Sequence, residues 1–174
     1  MTSFDSTKVL LSELLKDIIS GKIQLPDFQR GWVWDDDHIR DLLVSIAKSF
    51  PVGAIMLLES GGEVRFQTRA VEGLEDSIGT AIKPERLILD GQQRLTTLTQ
   101  AIAITSPVNT KTNKGKNIKR HYYFNIKLAI ESPHLLHEAV IAVDENKQLK
   151  TIKFQSLNSK KKQAKKLYVW FLKK

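Results

Sequence analysis

The chain has 174 residues, 41% of them apolar, which is about one domain's length and enough to build a core. It contains no cysteine and no apolar run of about eighteen residues, so disulfide scaffolds, thiolate zinc sites, cysteine nucleophiles and a spanning helix are excluded. The net charge of +8 is uneven: residues 1–110 carry 11 Lys and Arg against 15 Asp and Glu, and residues 111–174 carry 16 against 4.

The N-terminus MTSFDSTKVL lacks the basic-then-apolar order of a secretory signal, which predicts a cytoplasmic protein with no membrane partner. Leu14, Leu15, Ile18 and Ile19 recur at helical spacing between Ser12, read as the N-cap, and Gly21. Residues 23–25 look extended, and Pro26 then opens a loop carrying Asp27, Phe28, Gln29, Arg30 and Gly31 before Trp32 and Trp34. A second helix is predicted with Asp35 or Asp36 as cap, Ile39, Leu42, Leu43 and Ile46 along one face, and Phe50-Pro51 as the stop. Val52-Gly53 is expected to re-enter a strand. Residues 54–58 read as a buried strand and residues 63–69 as an alternating one, with Gly61-Gly62 between them suggesting a hairpin.

The acidic segment 72–84 reads as a loop, residues 86–89 as a strand, and a helix follows from Asp90. On that helix Leu95, Leu98 and Ile102 make an apolar face, while Gln93, Thr96, Thr97 and Gln100 share the opposite, solvated one. Residues 109–117 are polar, basic and turn-rich, which predicts a mobile loop or linker. The expected division is therefore a core over 1–108, a basic linker over 109–120 and a basic extension over 121–174. Within the extension, residues 122–126 and 151–157 read as strands, and residues 135–143 are apolar but ambiguous. The last ten residues place Leu167, Val169, Trp170, Phe171 and Leu172 among lysines without a cap, which suggests a truncated segment whose partner lies elsewhere.

Two segments share one chemistry. Residues 26–31 (PDFQRG) and 90–94 (DGQQR) each offer a carboxylate, an amide and an arginine. Arginine binds phosphate through a planar fork, glutamine reads base or ribose edges, and aspartate can hold Mg²⁺. A strand ending in Asp90-Gly91 before a helix is also a phosphate-binding junction, because Gly91 permits close approach and the helix start offers free N–H groups. By spacing alone, the favoured reading of Asp90 with Gln93 is a helix-capping pair worth about 1 kcal/mol. If the two segments face each other, they form a nucleotide-sized pocket.

The blocks LPDFQRGWVW, SFPVGAIML and LILDGQQRLTTL, in that order over residues 8–104, resemble the N-terminal domain of GmrSD-type modification-dependent restriction enzymes, a ParB-like nuclease-fold family. The resemblance implies an α+β fold: a ParB/sulfiredoxin-like mixed sheet with flanking helices, here followed by a C-terminal extension. It implies a nucleotide-binding, NTP-hydrolysing regulatory or sensor domain for phage defence, with GTP or another NTP as substrate or effector and Mg²⁺ as cofactor. Asp90 and Arg94 are the expected catalytic residues, with Asp90 also the metal ligand. Gln29, Arg30, Gly91, Gln92 and Gln93 are the expected nucleotide-binding set. DNA, modified or not, and a nuclease domain in cis or trans are the expected partners, and a homo-oligomer is compatible. The His-rich block of an HNH nuclease does not occur among His38, His121, His134 and His137, so DNA cleavage by this chain alone is not expected.

A reading from a different class is a non-catalytic DNA-binding module on a ParB-like scaffold. Lys114, Lys116, Lys119 and Arg120 are then the expected DNA contacts, with Lys160, Lys161, Lys162, Lys165 and Lys166 in the same basic tract. A solvated surface explains the same charges. Three further features take structural readings: Trp32 and Trp34 as core-edge aromatics, Asp35, Asp36 and Asp37 as an acidic helix start favoured by the macrodipole, and His134 with His137 as a pair lacking a third metal ligand.

Overall fold

The computed structural model describes residues 6–31, 34–62, 66–78 and 82–146. The α+β class holds: helices flank a mixed four-stranded sheet, and a separate three-stranded sheet follows. No described helix is long and apolar enough to cross a membrane. The chain forms two compact units, the first from residues 1–32 and 54–99, the second from residues 33–53 and 100–174. The grouping is therefore not a single cut near residue 108, since residues 33–53 belong with the C-terminal unit.

In the first unit, α1 (Leu11–Ile19) buries Leu14, Leu15 and Ile18. Its N-cap is Leu10, with no side-chain cap; Ser12 lies inside the first turn, where it cannot act as the expected cap. The sheet contains β1 (Ile23–Pro26), β2 (Met56–Glu59), β3 (Thr68–Arg69) and β4 (Arg86–Asp90), in the order β2-β4-β1-β3. β1 and β4 are parallel, with Ile23 opposite Arg86 and Gln24 opposite Leu87, while β2 and β3 run antiparallel to their neighbours. Both central strands are covered: Leu87 and Ile88 bury an apolar run in β4, and β1 buries Gln24 as well, its Nε2 donating to the Gly21 and Ile82 carbonyls. Ile23, Leu25 and Ile88 are fully buried.

Two expectations for the edges change. β2 starts at Met56, later than Val52-Gly53 suggested, and is only half-covered because it pairs on one side alone, with β4. β3 pairs with β1, so Gly61-Gly62 does not close a hairpin between consecutive strands; β4 already occupies the inner edge of β2. Residues 63–65 of the expected strand lie outside the described residues. The acidic segment 72–78 is a run of turns anchored by buried Val71, Leu74 and Ile78. After β4, α3 (Gln92–Leu98) runs into a π-helical segment, Thr99–Ala103.

In the second unit, α2 (Asp36–Ala47) starts at Asp35, whose side chain accepts the His38 N–H. Residues 108–124, expected in part as a mobile linker, form an antiparallel ribbon instead: β5 (Val108–Lys111), a turn and β6 (Asn117–Phe124). The polar composition had masked a strand that alternates buried Val108 and Thr110 with exposed Asn109 and Lys111. Then follow α4 (Ile126–Glu131), a 3-10 turn (Pro133–Leu135), α5 (Leu136–Ala139) and β7 (Val140–Asp144), which pairs with β6. The ambiguous stretch 135–143 is thus part helix and part strand. Val44, Leu136, Ala139 and Val140 form a core cluster against Leu43, Tyr122, Phe124, Leu128 and Ala129. The expected strand at 151–157, the lysines 160–166 and the apolar end lie outside the described residues.

Candidate functional site

β4 carries Asp90 to the end of the sheet on a strand whose Leu87 and Ile88 are buried. Gly91 then turns the chain with φ of +87°, a left-handed conformation that glycine alone adopts cheaply. A Cβ here would stand 2.5 Å from Ile55 Cδ1 and 3.4 Å from Arg94 Nη2, so the Arg94 guanidinium lies close over the glycine. Gly91 is the N-cap of α3, and no side chain caps that end. Asp90 therefore does not form the expected capping pair with Gln93, because it still belongs to the strand. It pairs instead with Arg94, Oδ2 to Nη2 at 3.2 Å, with the Asp90 side chain 70% exposed and that of Arg94 19% exposed.

The loop at 26–31 and the junction at 90–94 meet within the first unit, held by glutamines. Gln29 Nε2 donates to the Ile88 carbonyl at 2.7 Å and to the Leu89 carbonyl at 3.0 Å. Gln92 Nε2 donates to the Arg30 carbonyl at 2.6 Å, and Gln93 Nε2 to the Gly31 carbonyl at 3.3 Å. These amide nitrogens are committed to main-chain carbonyls, so Gln29, Gln92 and Gln93 clasp the two loops together. The same three glutamines are in the expected nucleotide-binding set. Gln92 is buried; Arg30 is exposed.

Two residues absent from the expected set complete the clasp. Arg69 donates to the Gln29 and Arg30 carbonyls at 3.2 and 3.4 Å, and to Glu72 Oε1 at 3.0 Å. Glu72 Oε2 in turn accepts the Thr96 hydroxyl at 3.4 Å. The signal in the sequence was faint: Arg69 ends an alternating run, and Glu72 opens an acidic loop. Thr96 and Thr97 are 0% exposed and Gln100 is buried, so the polar face of α3 is not solvated as expected. Beside the clasp, the rings of Phe28 and Phe66 meet edge-on, 5.5 Å between centroids, with Phe28 68% exposed.

The other sequence candidates separate. A cavity of about 630 Å³ in the first unit is lined by Leu58, Ser60, Phe66, Lys83 and Leu87 among others, at the opposite end of β4 from Asp90. Among the described residues, no group of three His, Cys, Asp or Glu could hold a metal ion. His137 Nε2 meets Asp41 Oδ1 at 3.0 Å, joining α5 to α2. Asp36 accepts the Tyr122 hydroxyl at 2.7 Å and pairs with Arg40 at 3.2 Å; burial, then the Asp36 charge, raises the Tyr122 pKa well above its usual value. Trp34 is half-buried against His38, and Trp32 lies outside the described residues. Of the expected DNA contacts, Lys119 pairs with Glu145 at 3.3 Å, and Arg120 lies 3.7 Å from Asp144 and 3.8 Å from Asp36. Lys114 and Lys116 are exposed on the β5–β6 turn.

A family profile described as "GmrSD restriction endonuclease, N-terminal domain" matches residues 11–174. An uncharacterized protein of Methanocaldococcus jannaschii, MJ0686, is 42% identical over 100 residues, which is 55% of this chain. The chain spans 17% of the length of that relative. No solved structure matches the chain.

Proposed function

Because the chain belongs to the GmrSD restriction endonuclease N-terminal domain family, we propose that it is a nucleotide-binding and NTP-hydrolysing regulatory or sensor domain of a modification-dependent DNA restriction system. The observation that carries this reading is the clasp. Three side chains, Gln29, Gln92 and Gln93, tie the two loops together through main-chain carbonyls, and the Arg30 carbonyl is held by Gln92, which lies between Asp90 and Arg94 in the chain. Rigid support of that kind is what a site needs in order to hold charged groups in one geometry.

Asp90 fits a Mg²⁺ ion that arrives with the nucleotide. It is a single exposed carboxylate, and Mg²⁺ commonly takes one or two protein carboxylates and fills its shell with phosphate oxygens and water. When bound, the ion would neutralise charge on the phosphates and align the attacking water. Arg94 would offer its planar fork to the phosphate being transferred, with Arg30 as the second cation. Gly91 keeps this approach open by lacking a side chain. DNA, and a nuclease domain in cis or trans, would be the partners that such hydrolysis regulates.

Phosphate release from a panel of NTPs with Mg²⁺ tests the reading. Asp90→Ala and Arg94→Ala should each reduce turnover at least tenfold, the usual scale for groups that act on developing charge. Turnover that survives both substitutions would sink the assignment.

A further inference from the structure

We propose that the β5–β6 turn is a grip for duplex DNA, a fixed basic tip that holds backbone phosphates without reading the bases. Residues 91–130 contain seven Lys and Arg and no Asp or Glu. Structure divides these cations. Lys119, Arg120 and Lys127 each have a carboxylate within 4.0 Å, and Arg94 is paired with Asp90. Lys111, Lys114 and Lys116 are exposed and make no ion pair among the described residues.

These three lysines stand around one tight turn, closed where Lys111 faces Asn117. Thr112 N–H donates to the Lys116 carbonyl at 2.9 Å, Gly115 N–H to the Thr112 carbonyl at 2.7 Å, and Lys116 N–H to Thr112 Oγ1 at 3.2 Å. Gly115 takes φ of +77°, which makes this closure possible. The ribbon is tied down as well: Thr110 Oγ1 donates to the Trp34 carbonyl at 2.9 Å, and Asn113 Nδ2 to Asp37 Oδ2 at 2.6 Å. A tip whose backbone is already ordered loses little backbone entropy on binding.

The chemistry of the tip sets what it can recognise. Lysine ammonium groups are point charges without the planar fork that reads guanine, and contacts to phosphate carry no sequence information. The tip therefore binds modified and unmodified duplexes alike, and discrimination belongs elsewhere in the protein. The family membership favours DNA over other polyanions; NTP turnover is not required.

The test is the affinity of the full chain for a short labelled duplex, measured across a salt series. Substituting Lys111→Gln, Lys114→Gln and Lys116→Gln together should lower the salt slope by about 2 to 3, since each phosphate contact contributes about 0.9. The drop should be equal for modified and unmodified duplexes, and Lys119→Gln should leave the slope unchanged. A circular dichroism spectrum matching the parent shows that the triple variant is folded. Asp90→Ala should retain the parent slope, which separates failure of the nucleotide site from failure of the grip. An unchanged slope in the triple variant overturns the proposal. So does an equal loss from Lys119→Gln, or tip-dependent binding to phosphatidylserine vesicles without DNA binding.

Discussion

Gly91→Ala should destabilise the protein by about 1.5 to 3.5 kcal/mol, the sum of two contributions that the structure separates. A left-handed backbone at φ of +87° costs a residue with a Cβ about 1 to 2 kcal/mol. The new methyl would also stand 2.5 Å from Ile55 Cδ1. That atom is the end of a side chain that can rotate away, so the clash resolves as an off-rotamer cost of about 0.5 to 1.5 kcal/mol rather than a backbone shift. Urea titration reads the sum as a lower midpoint with an unchanged slope. The cycle with Ile55→Val reads the parts: removing Cδ1 relieves the clash, so the alanine should cost less in that background, leaving the backbone share. A loss below about 0.5 kcal/mol, the scale of an inert surface change, would refute the left-handed constraint. Absence of coupling to Ile55→Val would refute the close packing over Gly91.

Gln29→Leu should lower stability by about 1 to 3 kcal/mol, because two hydrogen bonds to the Ile88 and Leu89 carbonyls vanish at about 0.5 to 1.5 kcal/mol each; urea unfolding checks it. The start of α2 should be pH-dependent in two directions. The Asp35 carboxylate beside His38 raises the His38 pKa above 6.5, so this stabilisation is complete below 6.5 and fades as pH rises through the folded value. The His38 N–H, then the His38 side chain, lowers the Asp35 pKa below 3.8, so its share is present above 3.8 and fades on acidification. The pair therefore contributes most between 3.8 and 6.5. NMR titration should place His38 above its ordinary value, and Asp35→Asn, which preserves an N-cap oxygen, should bring it back.

What the sequence made legible was whatever local periodicity encodes. The apolar run of β4 and the stripe of Ile39 and Leu42 on α2 name their burial directly, because a covered strand or helix face is mostly apolar. Pairing is not local. Nothing in residues 66–69 distinguishes β1 from β2 as a neighbour, and a two-residue strand gains its place from Asp27 N–H donating to the Gln67 carbonyl. The polar face of α3 misled for a related reason. Threonine and glutamine are soluble or buried according to whether a partner awaits them, and for Thr96 that partner is Glu72, a residue in a turn without periodic signal.

The same ambiguity decides how the candidate site is understood. Reading a nucleotide edge and tying two loops together both require an amide that donates at a fixed point, so a glutamine-rich loop announces either use equally. The carbonyls of Ile88, Leu89, Arg30 and Gly31 resolve the choice toward tying. The charged groups at the same junction are Arg30 and Asp90, both exposed, and Arg94, which pairs with Asp90. Gln92 is buried and Gln29 half-buried, whereas Arg30 and Asp90 are exposed. Under the proposed function, a triphosphate with its cation would meet charge of both signs at this junction.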